Sequence, residues 1–218
     1  MSNSPSMGLR AYQMKALHQI HKGFEEFDRQ LGVLPTGGGK TILFSRLAQD
    51  LQPQRTLILA HREELISQAV DKLRTSTGIE AEVEMGDDRA SLEAPVVVAS
   101  IQTLMREPRR NRWPRDHFGL VVVDEAHHAL ADSYLNTLGH FHNHAKVLGV
   151  TATPDRGDKK NLGRYFQNIA CEVQNSVFDL KRANESSKLN SLKRRQIDRL
   201  PAPCGFVPPG STELALRA

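Results

Sequence analysis

The run Val33-Leu34-Pro35-Thr36-Gly37-Gly38-Gly39-Lys40-Thr41 constrains this chain more than any other stretch. Three glycines in a row let the backbone wrap closely, so that main-chain N–H groups can point at an anion. The turn should feed a helix N-terminus, whose positive dipole end adds to the attraction. Lys40 has the reach to meet β- and γ-phosphates, and the Thr41 hydroxyl can ligate Mg²⁺. Pro35, Thr36, Gly37, Gly38, Gly39, Lys40 and Thr41 are therefore candidate binding residues for a nucleoside triphosphate such as ATP. One departure stands out: the general pattern puts glycine six positions before Lys40, and Leu34 is there. The plain alternative is a Gly-rich turn that happens to precede Lys-Thr.

The 218 residues suit one ordinary domain plus an appendage, and a hydrophobic content of 39% is enough for a packed core. Met1 to Leu9 is polar and lacks the apolar stretch of a signal peptide. Apolar runs such as Leu120 to Val123 are too short to span a bilayer. No membrane partner and a cytoplasmic address are the expectation. Cys171 and Cys204 form no CxxC pair, so neither a disulfide framework nor a zinc site is indicated. The net charge of +4 is uneven. Residues 1–174 carry 21 basic and 21 acidic side chains, while 175–218 carry 8 and 4. Overall charge is thus no argument for nucleic-acid binding, and the basic tail reads more simply as solvated.

Strand-length apolar runs alternate with helical patterns. Leu17, Ile20, Phe24 and Phe27 recur at helical spacing before the glycine loop. A strand should end at Gly32 to Pro35 and a helix run from Gly39 to Leu51. Arg55 to Ala60 reads as a buried strand, Arg62 to Leu73 as a helix and Ala81 to Met85 as another strand. Pro95 to Ala99, Leu120 to Val123 and Lys146 to Val150 are Val/Leu-rich. Continuous apolar strands suit a parallel sheet covered on both faces, so the predicted fold class is α/β, a doubly wound parallel sheet. Ligands of such sheets sit beyond the carboxyl ends of the strands. The polar clusters at Thr36–Thr41, His61–Glu64, Ser100–Thr103, Asp124–His127 and Thr151–Thr153 all follow strands. Residues 1–173 read as one domain and 174–218 as a flexible, basic, Pro-rich tail.

Leu120 to Val123 ends in Asp124 and Glu125. Acids at a strand end, in a chain with a phosphate loop, point to a magnesium partner for Asp124 and to a water-orienting or proton-accepting role for Glu125. The alternative is a helix cap, since Asp caps helices well.

These residues carry a resemblance. Asp124-Glu125-Ala126-His127 is similar to motif II of superfamily 2 helicases and translocases. Leu9 to Gln13 (LRAYQ) resembles their adenine-reading Q motif, and Pro35 to Thr41 resembles motif I in a form that lacks the first glycine. Leu59 to Leu65 resembles motif Ia, Ala99 to Leu104 motif Ic, and Gly149 to Pro154 motif III. The resemblance spans residues 9–173 and is nearest in flavour to bacterial DNA-repair and type III restriction-like helicases. It implies a P-loop, RecA-like ATP-binding domain 1. It assigns adenine recognition to Gln13 and Arg10, phosphate and Mg²⁺ to Lys40 and Thr41, Mg²⁺ to Asp124, and the water to Glu125. His127, Thr151 and Thr153 would couple nucleotide to the nucleic-acid track. His61, Arg62, Ser100, Gln102 and Thr103 would meet strand backbone, DNA rather than RNA, through sequence-independent contacts.

Arg106 to Arg115 places five arginines around Trp113, either a single-strand grip or, more simply, a solvated loop. His140, His142 and His144 read as a surface turn. Motifs IV to VI of a second RecA-like domain have no match, so the expectation is a truncated or rearranged product that hydrolyses ATP weakly alone, with a second domain supplied in trans. A binding module for ATP or nucleic acid, without unwinding, is the competing reading.

Overall fold

The computed structural model describes residues 8–129, 132–141, 143–152 and 162–173. The expected tail, 174–218, lies outside them, as do Thr153 and His142. Within the described residues the chain runs α1 (Ala11–Gly23), β1 (Arg29–Val33), α2 (Lys40–Asp50), β2 (Thr56–Ala60), α3 (Glu63–Thr77), β3 (Ala81–Glu84), β4 (Val96–Ser100), α4 (Ile101–Leu104), α5 (Glu107–Arg110), β5 (Leu120–Asp124), a 3-10 turn (Ala126–His128), α6 (Asp132–Phe141), β6 (Lys146–Thr151) and β7 (Asn168–Glu172). The strands form one sheet in the order β3-β4-β2-β5-β6-β1-β7, with every pairing parallel. All carboxyl ends therefore share one edge.

The alternation of side chains along each strand divides the core in two. Ile58 pairs with Val98 and Val122, and Val122 with Leu148; this row packs under α1, α2 and α3 with Ile20, Leu43, Leu47, Ile66 and Leu73. Leu57 pairs with Val97 and Val121, and Val121 with Val147; this row faces Trp113, Phe118, Tyr134 and Phe141. Both faces are covered, so strands β2, β4 and β5 are buried along their whole length and mostly apolar.

Three segments differ from the sequence reading. First, the Arg106–Arg115 segment is neither a solvated loop nor a stacking platform. Trp113 is fully buried in the core; Arg109 of α5 and Arg112, in the turn that follows, both reach Glu84, whose side chain is sealed from solvent. Arg109 Nε donates to Glu84 Oε1 at 2.7 Å, Arg112 Nη1 to Glu84 Oε2 at 2.8 Å, and the Ala90 N–H to Oε2 at 2.9 Å. Arg109 also donates to the Gly86 carbonyl at 2.6 Å, and Arg112 to the Ala90 carbonyl. A buried carboxylate is tolerable only when paired in this way. Second, Gly139 to Phe141 close α6, so the expected surface turn is confined to the exposed Asn143 and His144; Phe141 is buried, and His140 Nε2 lies 2.9 Å from the Trp113 carbonyl oxygen. Third, β7 adds an edge strand beside β1, and it buries Cys171 beside Gly32, which pushes that thiol up to about 11.

Removing the Glu84 carboxylate would leave two guanidinium groups without their partner. Glu84→Ala should therefore cost about 3–5 kcal/mol of unfolding free energy, read from the urea midpoint. A loss below about 1 kcal/mol would mean that the triad behaves like a surface ion pair.

Candidate nucleotide and nucleic-acid site

Four chain reversals at the carboxyl edge build the site. The first joins β1 to α2. Gly37 and Gly39 both adopt left-handed backbone, φ +75° and +73°, and Gly39 is the N-cap of α2. A β-carbon at Gly39 would also displace the Gln13 amide from the loop, while the left-handed backbone is what favours glycine here. Gln13 clasps the loop from the other side. Its Oε1 accepts from the Arg10 N–H at 2.9 Å and its Nε2 donates to the Gly38 carbonyl at 3.4 Å, while the Tyr12 hydroxyl donates to the same carbonyl at 3.0 Å. The structure thus joins the start of α1 to the glycine loop. Tyr12 is a participant that residue patterning did not single out, because its partner lies 26 residues away.

The second reversal leaves β5. Lys40, first residue of α2, places Nζ 2.6 Å from Glu125 Oε1, with both side chains largely withdrawn from solvent. Glu125 has φ +51°, the left-handed region in which a side chain is strained. Such strain costs of order 1–3 kcal/mol and collects at functional sites. Its N–H donates to Asp124 Oδ1 at 3.0 Å. Asp124 is buried, and desolvation raises its carboxyl above the ordinary value; the Lys40 ammonium opposes this without cancelling it. Gly149 of β6 makes the turn possible. A β-carbon there would collide with the Phe166 ring and come within 2.8 Å of the Ala126 Cβ.

The third reversal is the end of β6. His127 Nδ1 lies 3.4 Å from both Glu125 Oε2 and Thr151 Oγ1, so β5 and β6 meet through one imidazole. The fourth is shared by β2 and β4, whose last residues Ala60 and Ser100 are register partners. His61 and the exposed Arg62 follow β2. Ser100 Oγ donates to Gln102 Oε1 at 2.7 Å, and Gln102 Nε2 donates to the His61 carbonyl at 3.0 Å. Arg62 and Gln102 are exposed, whereas Ser100 and Thr103 are buried, and the Thr103 hydroxyl accepts from the Gly86 N–H at 3.1 Å. Thr103 thus supports the neighbouring loop rather than facing outward. Next to His127, the His128 ring lies 4.0 Å from the His127 ring and 5.0 Å from that of His61. Partial desolvation, then the His127 and His61 imidazoles, hold the His128 imidazole below its ordinary 6.5.

Comparison with known proteins shows the family of the chain. The family model for "Type III restriction enzyme, res subunit" matches residues 6–156. The chain belongs to that family. It is 35% identical over 178 residues to "Putative ATP-dependent helicase IRC3" of Saccharomyces cerevisiae, covering 74% of this chain and 26% of the relative. It is 38% identical over 185 residues to "Putative mitochondrial ATP-dependent helicase irc3" of Schizosaccharomyces pombe, covering 79% and 29%. The chain therefore spans under a third of the length of these relatives. Its fold is similar to that of the restriction-modification enzyme LlaGI in complex with a DNA substrate mimic, with TM-score 0.61, 20% identity, and 88% of this chain and 22% of that one covered. It is similar also to a variant of S. cerevisiae Dbp5 bound to RNA and ADP BeF3, with TM-score 0.60, 18% identity, and 78% and 51% covered. The expected superfamily 2 RecA-like domain and its α/β class stand. Among the described residues no helix is long and apolar enough to cross a membrane.

The raised carboxyl of Asp124 has a consequence for stability. Its folded value lies above the ordinary 3.8, so the folded state holds this proton more tightly than the unfolded chain and ionisation opposes folding. The penalty is absent below the unfolded value and complete above the folded one. Asp124→Asn should accordingly melt at a higher temperature than the parent at neutral pH, with the advantage vanishing below about pH 4. A variant that melts lower at neutral pH would show that ionised Asp124 stabilises the fold.

Proposed function

We propose that this chain is the ATP-binding motor domain of a nucleic-acid helicase or translocase, in which Lys40, Asp124 and Glu125 carry the nucleotide chemistry. The observation that supports this most is the Lys40–Glu125 contact at 2.6 Å, formed beside the buried Asp124 and beneath two left-handed glycines. A lysine, a carboxylate pair and glycine backbone converge where residues 85 positions apart have no local reason to meet.

The donors suit Mg²⁺. Thr41 offers a hydroxyl and Asp124 a carboxylate, both hard oxygens, and among the described residues no group of three or more His, Cys, Asp or Glu side chains forms a metal cage. Mg²⁺ characteristically takes one or two protein oxygens and completes its shell with phosphate and water. When bound it would neutralise charge on the β- and γ-phosphates. Lys40 would exchange Glu125 for a phosphate oxygen. Glu125, released, would orient the attacking water and accept its proton. Gln13 and Arg10 would read the adenine edge. His127 with Thr151 would report the state of Glu125 to β6, and Thr153, outside the described residues, would extend that route.

The nucleic-acid track runs, in this reading, over His61, Arg62 and Gln102, with Ser100 and Thr103 holding them. DNA is the proposed substrate, supported by the restriction-enzyme description of the family and by the DNA mimic in a structure of the same fold. The RNA in another structure of that fold makes RNA the competitor to include. Efficient turnover is proposed to need a second RecA-like domain, because an arginine supplied across such an interface is worth roughly 10³–10⁵ in rate.

Lys40→Ala should weaken binding of a fluorescent ATP analogue by at least about tenfold. Glu125→Gln should keep that binding but abolish nucleic-acid-stimulated turnover once a second domain is present. Unchanged analogue affinity in Lys40→Ala would refute the nucleotide assignment.

A further inference from the structure

The coupling residues considered so far, His127 and Thr151, link β5 to β6 and stop there. The geometry continues in the other direction. Lys40 touches Glu125, and Glu125 touches His127. The His127 ring lies against His128 at 4.0 Å, and His128 meets His61 edge-on, at 5.0 Å and 60°. The His61 carbonyl accepts from Gln102, and Gln102 accepts from Ser100. These contacts lead without a gap from the phosphate-facing lysine to the residues proposed for the strand track. Among the ring contacts of the described residues, it is the His128 ring that bridges the β5 turn and the β2 turn. His61 Nδ1 is buried and has no hydrogen-bond partner among the described residues. The position of the His61 ring is therefore set by packing, and His128 is part of that packing.

We propose that His128 is a positioning residue that couples nucleotide binding at Lys40 and Glu125 to nucleic-acid binding at His61, Arg62 and Gln102, through ring contact with His127 and His61. This rests on the function proposed above. When Lys40 leaves Glu125 for phosphate, Glu125 loses that partner, and His127 is left against a carboxylate that Lys40 no longer holds. A shift of the His127 ring moves His128, and His128 moves His61 with the Gln102 bond attached to it. Coupling of two sites requires a connected element that both sites bias, and the run of ring contacts is the element proposed for that role. Because coupling is reciprocal, nucleic acid must alter nucleotide affinity by the same factor.

The test is the dissociation constant of a fluorescent ATP analogue with Mg²⁺, measured on the full chain with and without saturating single-stranded oligodeoxythymidylate. The parent should show a ratio of at least about fivefold between the two conditions. His128→Ala should bring the ratio to about one, with the oligonucleotide again at saturation, while its affinity for the analogue alone stays within about twofold of the parent. His128→Phe, which keeps a ring, should restore at least half of the effect. A ratio unchanged in His128→Ala overturns the proposal, as does a parent that binds both ligands with a ratio of one. A His128→Phe variant that behaves like His128→Ala overturns the ring-contact mechanism. Failure of the parent to bind the analogue or the oligonucleotide is a different result, and it overturns the underlying functional reading.

Discussion

The ion pair between Lys40 and Glu125 depends on nearly everything else in the domain, and the proposed chemistry depends on it. Lys40 sits at the start of α2 and Glu125 just past β5. They meet only because β1 and β5 run parallel with β6 between them, so that both strands end at one edge. The parallel order in turn requires covered faces, which the two rows of Val, Leu and Ile provide. At the edge itself the geometry is held by conformations that ordinary residues avoid. Gly37 and Gly39 take left-handed backbone at no steric penalty, whereas Glu125 takes it with strain. The burial of Asp124 is a second such cost. A fold selected only for stability would place neither a buried carboxyl group nor a strained glutamate here.

The parallel sheet and the nucleotide residues were legible in the sequence because both are local signals. Uninterrupted apolar runs announced β2, β4, β5 and β6, and the polar residue after each run marked the edge. The glycine run and the acidic pair carry their chemistry in a few adjacent positions. What escaped was non-local. Trp113 with its neighbouring arginines read as a solvated loop, since nothing within ten residues shows that Glu84 waits 25 and 28 positions upstream for Arg109 and Arg112. The last turn of α6 read as a surface turn because Gly139 and alternating histidines mask a helix that Phe141 and Leu138 anchor from below. β7 is half exposed, with Ile169 open to solvent, and its five residues do not repeat as a buried strand does. The share of Tyr12 in holding Gly38 is likewise a long-range contact.

The Glu84 triad also bears on the site. It fastens the segment Gly86–Ala90 to α5, and Thr103 of α4 accepts from the Gly86 N–H in the same cluster. The short helix that carries Gln102 is thereby tied, through the Thr103 hydroxyl, to the loop that the ion-paired Arg109 holds. Its outer side chain reaches across to the His61 carbonyl. Rigid support below and an exposed glutamine above suit a surface that grips a backbone without reading bases.

The measurement that bears most directly on this account is an experimental structure of the chain with a non-hydrolysable ATP analogue and Mg²⁺. The account predicts that Lys40 Nζ leaves Glu125 for a phosphate oxygen, with the metal on the Thr41 hydroxyl side and facing Asp124. A nucleotide bound elsewhere, with the Lys40–Glu125 contact intact, would contradict it.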